Sequence, residues 1–441
     1  MSNIYDIIII GGGISGLYSA YNIQKINPTV KILILEASSK KLIGGRLGNT
    51  KFHGVTVVTG AGIGRKEKDF LLIELLNELK IPYGEFTVKS QMVNSQMVKI
   101  NELKEMVNKL KKEEKNENKK LTFKEYATKV LGKENYKKFC IYSGYTDFEK
   151  EDFHQTLFNY GLEDNYKEYT GLSIPWKLLI HTLAEKVKWK NIKFLSKVSR
   201  FTKSKTTNIN TNINTNTNTN TNNNTNTNTN TNNKNKKIII PNFTIFTEDG
   251  INYLCNKIIV ATTINLVKKL FSNLSIYKQI NKQPFLRVYA KFSKQSIPIM
   301  LKYVNITTIV EGPLHKIIPI NVEKGIYMVA YTDNKDAIFI NKLLNSKQTN
   351  LSITNLINKA LNIEIEIDDL IYFYWDIGTH YYEPLINYNK NYKNFIKNIQ
   401  HPADNILVVG EMVSNNQGWT EGALNSVQKV LTKKWIENYK F

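Results

Sequence analysis

Only two of the 441 residues are cysteine, Cys140 and Cys255. Two cysteines make neither a disulfide framework nor a metal-ligand spacing, so no metal is expected, and a reducing compartment such as the cytoplasm is the expected setting. Acidic side chains are also short, 38 Asp and Glu against 60 Lys and Arg, which leaves a formal net charge of +22. Such an excess suits an anionic partner. The lysines are nevertheless scattered among abundant asparagine and isoleucine, the composition of an AT-rich genome, and form no compact basic block. No nucleic-acid partner is therefore expected. No apolar run is long enough to span a bilayer. The N-terminus reads as a strand with Asp6 in it, not as a charged leader with a cleavage site, so no signal peptide is seen. Apolar residues make up 41%, with 11% aromatic, enough for two domains or one large two-part enzyme.

Near the start stands "IIIIGGGISGLYSAYNIQ". Ile7 to Ile10 suit a strand buried on both faces. From Ile14 the apolar residues fall close to helical spacing. Gly11, Gly13 and Gly16 lie at the junction in the pattern G-x-G-x-x-G. That pattern provides a tight turn, a close approach to a pyrophosphate, and helix-on-strand packing. The anion would sit at the helix N-terminus. A second strand, "VKILILEA", ends at Glu36, 20 residues after Gly16, where a carboxylate accepts hydrogen bonds from an adenosine ribose. The βαβ unit predicts a dinucleotide site, with FAD and NAD both open on these residues alone.

Residues 206–237 are almost entirely Asn and Thr. Such a stretch buries too little apolar surface to offset its ordering entropy, so disorder is expected. Its flanks, "IKFLSKVSRFTK" and "IIIPNFTIFTEDG", read as strands, which makes the tract an expanded hairpin loop.

Further glycine turns follow. Gly44 and Gly45 precede Arg46, a fixed cation suited to phosphate. Gly60, Ala61 and Gly62 are small enough for backbone to lie against a flat ring. At the far end a strand reaches Gly410 and Glu411, and "GWTEGA" opens a last helix. The pieces "GGGISGL", "LEA", "GGR", "TGAG", "KVSRF", "TEDGINYLCNKIIVAT" and "VVGEMVSNNQGWTEGAL" stand in this order, and by them the chain resembles the flavin-containing amine oxidase family. That family includes monoamine, polyamine and L-amino acid oxidases, with protoporphyrinogen oxidases and phytoene desaturases as cousins.

The resemblance implies FAD, and an α/β Rossmann-type FAD-binding domain with an inserted mixed α+β substrate domain. It implies that residues 1–88, 172–268 and 400–441 form the first and residues 89–171 and 269–399 the second. Gly11, Gly13, Ser15 and Gly16 match the pyrophosphate loop, Glu36 and Ala37 the ribose-binding strand end, and Gly44, Gly45 and Arg46 a second phosphate turn. Gly60, Ala61 and Gly62 match the segment beside the isoalloxazine. Val198 matches the residue whose backbone meets the adenine, and Gly410 and Glu411 the strand end near the ribityl phosphate. Thr420 matches the position whose N–H approaches the pyrimidine side of the flavin.

Substrate-side expectations are fewer. Trp419 matches an aromatic wall over the flavin, with a core tryptophan as the other reading. The stretch "YFYWDIGTHYYEPL" offers Trp375, His380, Tyr381 and Tyr382 for a second wall, or for packing at a strand end. Arg287 in "PFLRVYAKF" stands where many relatives carry a lysine near the reactive nitrogen, a departure that bears on reaction with dioxygen. Neither cysteine lies where monoamine oxidases attach their flavin, so FAD is expected to be non-covalent. The resemblance implies hydride transfer from a small amine to FAD, reoxidised by dioxygen to give hydrogen peroxide. The alternatives are oxidation or desaturation of a non-amine substrate, and a flavin-binding protein without turnover.

Overall fold

The structure is a computed structural model that describes residues 4–93, 96–117, 119–159, 161–204, 241–346, 348–385 and 391–438. Its first sheet has seven strands. The strand Ile4–Ile10 pairs in parallel with Ile32–Leu35 on one side and Asn252–Val260 on the other. Ile406–Val408 adds in parallel to Asn252–Val260, and Ile192–Lys193 to Ile32–Leu35. Alternate side chains of a strand point to opposite faces, and here each face has its own core. Ile7, Ile9, Ile32, Ile34, Ile259 and Leu407 pack with the helices Ile14–Ile26, Phe70–Glu78, Trp176–Val187 and Thr420–Val430. Ile8, Ile10, Leu33, Leu35, Ile258 and Val408 pack on the other face with Ile264–Leu270 and Tyr392–Gln400. Burial on both faces is why these strands read as unbroken apolar runs.

The second sheet has six strands, in the order Ile367–Tyr382, Ile280–Phe292, Ile326–Asp333, Lys316–Asn321, Thr307–Ile309 and Ser90–Met92. All neighbours are antiparallel except the last pair. A separate core of helices lies at its edge, from Gln96–Glu113 to Phe153–Asn159. In the lysine-rich helix Gln96–Glu113, Leu103, Met106, Val107 and Leu110 are buried at helical spacing and most of its lysines face solvent. The sixteen-residue strand Ile367–Tyr382 ties the two sheets together: its Tyr382 end packs in the core of the first sheet.

Val198–Lys203 and Phe243–Thr247 pair antiparallel, with Lys203 opposite Phe243. The Asn/Thr tract at 206–237 lies outside the described residues. Because its flanks close a hairpin, joining Ser204 to Pro241 through a short turn should leave the melting temperature unchanged. A marked drop in thermal melting would show that the fold needs the tract.

Candidate active site

Between the two sheets lies a cavity of about 1350 Å³. Of the positions expected at the dinucleotide, Gly11, Gly13, Ser15, Glu36, Gly44, Gly45, Arg46, Gly60, Ala61, Gly62, Gly410, Glu411 and Thr420 line it. Three do not: Gly16 is packed between strand and helix, Ala37 is exposed, and Val198 is buried in the core.

The three loop glycines differ in what demands them. Gly11 has φ +110°, and a Cβ there would lie 2.3 Å from the Ala261 carbonyl oxygen. A Cβ on Gly16 would lie 2.0 Å from the Gly11 carbonyl oxygen. The protein itself therefore requires both. A Cβ on Gly13 would meet no atom within 4 Å. Gly13 is also the N-cap of Ile14–Ile26 and supplies no side-chain cap, so the first-turn N–H groups open into the cavity. Glu36 closes the loop's other side, accepting from Gly12 N–H at 2.6 Å and Ser38 N–H at 2.7 Å.

A second such opening lies at Thr420–Val430. Its N-cap is Trp419, again without a side-chain cap, and Trp419, Thr420 and Ala423 line the cavity. The Glu421 side chain is used elsewhere: it accepts from Leu71 N–H at 2.9 Å and Leu72 N–H at 3.0 Å, which caps the helix Phe70–Glu78. Ser426 ties the last strand to this helix, accepting from Gly410 N–H at 2.8 Å and donating to the Ala423 carbonyl at 2.7 Å.

Glu411 is held from three sides. Arg46 Nη1 donates to Oε1 at 2.8 Å, Gly418 N–H donates to Oε2 at 3.1 Å, and His380 Nδ1–H donates to Oε1. The backbone N–H of Ile264 donates to His380 Nε2 at 3.3 Å. An amide can only donate, so Nε2 carries the lone pair and the buried ring is neutral with its proton on Nδ1. Burial lowers the His380 pKa and outweighs the pull of Glu411. Burial pushes the Glu411 carboxyl up, but His380 and Arg46 override it and hold it at about 2. Arg46 also donates to the Gly378 carbonyl at 2.9 Å, joining the two sheets.

His380 does not stand in the cavity wall; it sits behind Glu411, which it orients. Tyr381 and Tyr382 are buried, and the Tyr382 hydroxyl donates to the Ser414 carbonyl at 2.9 Å. Trp375 does line the cavity, fixed by a 2.8 Å bond from its N–H to the Thr59 carbonyl. Trp419 both lines the cavity and packs edge-on against the core residue Trp176, with ring centroids 6.1 Å apart. Its indole N–H faces Asp69 without closing a hydrogen bond.

Arg287 enters from the second sheet. Its Nη2 lies 3.1 Å from where a Cβ on Gly62 would be, and its guanidinium lies 4.3 Å from the centroid of the Tyr331 ring. A second cation was not anticipated. Lys316 lines the same cavity, buried, and burial lowers its ammonium to about 7 against the pull of Asp164, Asp147 and Asp333. In a chain with 60 Lys and Arg, no local pattern marks one lysine as buried.

Comparison with known proteins follows this geometry. Residues 2–110 match the Thi4 family. A stretch of 57 residues is 39% identical to an uncharacterized protein of Acanthamoeba polyphaga mimivirus. That match takes in 13% of this chain and 11% of the mimivirus protein's length. Wild-type putrescine oxidase bound to putrescine superposes with a TM-score of 0.70 at 11% identity, over 98% of this chain and 99% of that one. The chain has the putrescine oxidase fold. A double mutant of putrescine oxidase with redesigned cofactor binding gives the same TM-score of 0.70 and 11% identity. A protein of Exiguobacterium sp. 255-15, named as a candidate protoporphyrinogen oxidase, gives 0.67 at 13% identity, over 99% of this chain and 100% of that one.

Proposed function

We propose that the chain is an FAD-dependent oxidoreductase of the amine oxidase type, acting on a small molecule. The observation that carries this reading is one cavity with an uncapped helix N-terminus at two places in its wall, Gly13 and Trp419. Each presents free N–H groups and the positive end of a helix dipole, and so favours negative charge. At Gly13 that charge is the pyrophosphate, for which the open space above Gly13 leaves room. At Thr420 it is the pyrimidine side of the flavin, which becomes negative on reduction. Bound FAD supplies the two-electron acceptor for a hydride from the carbon bearing a neutral amine, with dioxygen as final acceptor and hydrogen peroxide as product.

The chain's own residues bind and orient. Gly11 to Ser15, Glu36, the two later glycine turns and the Gly410–Glu411 strand end hold the dinucleotide. Trp419 and Trp375 wall the substrate, and Arg287 places a permanent charge beside Gly62. Neither cysteine lines the cavity, which suits non-covalent binding. On this reading residues 1–88, 172–268 and 400–441 bind FAD, and residues 89–171 and 269–399 bind substrate. Among the described residues, no helix is long and apolar enough to cross a membrane.

The test begins with FAD uptake. Acid precipitation should release all of the flavin into the supernatant. Anaerobic mixing with a panel of primary amines, polyamines and amino acids should bleach the oxidised flavin. Trp419→Ala should slow that bleaching while FAD stays bound. A protein that takes up no FAD overturns the reading. A protein that keeps FAD but is bleached by no compound in the panel is a flavin-binding protein without amine turnover.

A further inference from the structure

Lys316 is not among the positions expected at the dinucleotide, yet its surroundings are built around it. Its Nζ donates to Asn165 Oδ1 at 2.7 Å, and the Asn165 amide nitrogen in turn donates to the Ser143 carbonyl at 2.7 Å, which fixes the amide. The ammonium lies 3.6 Å from the centroid of the Tyr145 ring. Gly144 has φ +62°, and a Cβ there would come within 2.6 Å of Lys316 Cε. Ser143, Gly144 and Tyr145 thus wrap the lysine stem, and a side chain at 144 would displace it.

Among the described residues Lys316 forms no ion pair, although it is buried. The acids whose charge reaches Lys316 are engaged. Asp164 pairs with Lys68 at 2.6 Å and Arg65 at 3.2 Å, and Asp147 has interactions of its own. Asp333 accepts from Thr146 N–H and pairs with His315. The two tyrosine faces nearest this point are also taken. Tyr145 and Tyr331 meet edge to face at 5.6 Å, with Lys316 over the first and Arg287 over the second. A buried cation without an anion is costly, and a bound anion removes that cost. An ammonium has three donors, and among the described residues only the bond to Asn165 uses one.

We propose that Lys316 seats a carboxylate of the substrate. The substrate class is then a small molecule that carries a carboxylate as well as its reacting carbon. This rests on the reading of the cavity as the substrate site of an FAD oxidoreductase.

The test uses the FAD-loaded protein and two unreactive probes of matched length: phenylpropionate and phenylpropanol. Calorimetry should show phenylpropionate binding at least about tenfold more tightly than the alcohol, the worth of a charge-assisted hydrogen bond. Lys316→Gln should abolish that preference and leave the alcohol within about twofold, whereas Lys316→Arg should keep most of it. If Lys316→Gln does not fold, the wild type decides: the acid's advantage should fade as the pH rises past about 7, where Lys316 loses its proton, while the alcohol's affinity stays flat. Equal affinity for acid and alcohol, or a preference that survives in folded Lys316→Gln, overturns the assignment. Flavin content is read separately. Full FAD with no preference for the acid sinks only the Lys316 site, and an acid preference without FAD uptake sinks only the cofactor.

Discussion

Gly13→Val is expected to abolish FAD binding while the melting temperature of the flavin-free protein stays as it is. Gly13 has φ −74° and ψ 179°, an extended conformation open to any residue. Nothing lies within 4 Å of the added Cβ, so the side chain leaves the backbone without meeting a protein atom. The isopropyl group would stand where the pyrophosphate must approach the backbone. Gly16→Ala should destabilise the flavin-free fold itself. Its Cβ would lie 2.0 Å from the Gly11 carbonyl oxygen, so strand and helix must part, at about 1–3 kcal/mol or more. Circular dichroism melts of the flavin-free proteins and acid-released flavin separate the two effects. Full FAD in Gly13→Val would put the dinucleotide somewhere other than this loop.

Glu411→Gln should cost about 3 kcal/mol, the low end for breaking a buried ion pair, because the Arg46 side chain keeps 29% of its surface exposed. The substitution is nearly isosteric, but every partner of Glu411 is a donor. Arg46 and His380 address Oε1 and Gly418 addresses Oε2, so an amide nitrogen in either position faces an N–H. His380 cannot adjust by moving its proton, because Nε2 already accepts from Ile264. The pH dependence has a definite sign. The Glu411 pKa falls from its ordinary 4.5 to about 2 in the folded protein. Its contribution is therefore complete above about 4.5 and is lost as the pH falls toward 2. The melting-temperature gap between wild type and Glu411→Gln should shrink across that window. A gap that stays constant in acid would mean that the carboxylate charge is not what stabilises the site.

Much of the cavity's glycine-rich wall was legible because it is local. A glycine turn between a strand and a helix, and a carboxylate at the next strand end, need only short-range geometry. So Gly11, Gly13, Glu36, Gly45, Gly60 and Thr420 could be placed on one cavity from spacing and resemblance. The same reasoning says nothing of partners that come from far along the chain. Arg46 lines the cavity as expected, and it also meets Glu411, 365 positions away. His380 looks like a wall residue, yet burial and a backbone donor from the adjoining helix make it a prop for Glu411.

The sequence by itself determined the βαβ unit and its glycine loop, the last strand before Gly410, and the two strands that flank the Asn/Thr tract. Periodicity and turn chemistry act between neighbours in the chain, and the side chains involved carry that information. Only the tertiary structure decided which charges are paired. Glu421 reaches across to cap a helix 350 positions earlier. Lys316, one lysine among many, is buried beside Tyr145 and Asn165 without a carboxylate partner among the described residues. Burial and pairing depend on what the fold brings within a few ångströms, and a residue's type and spacing do not contain that distance.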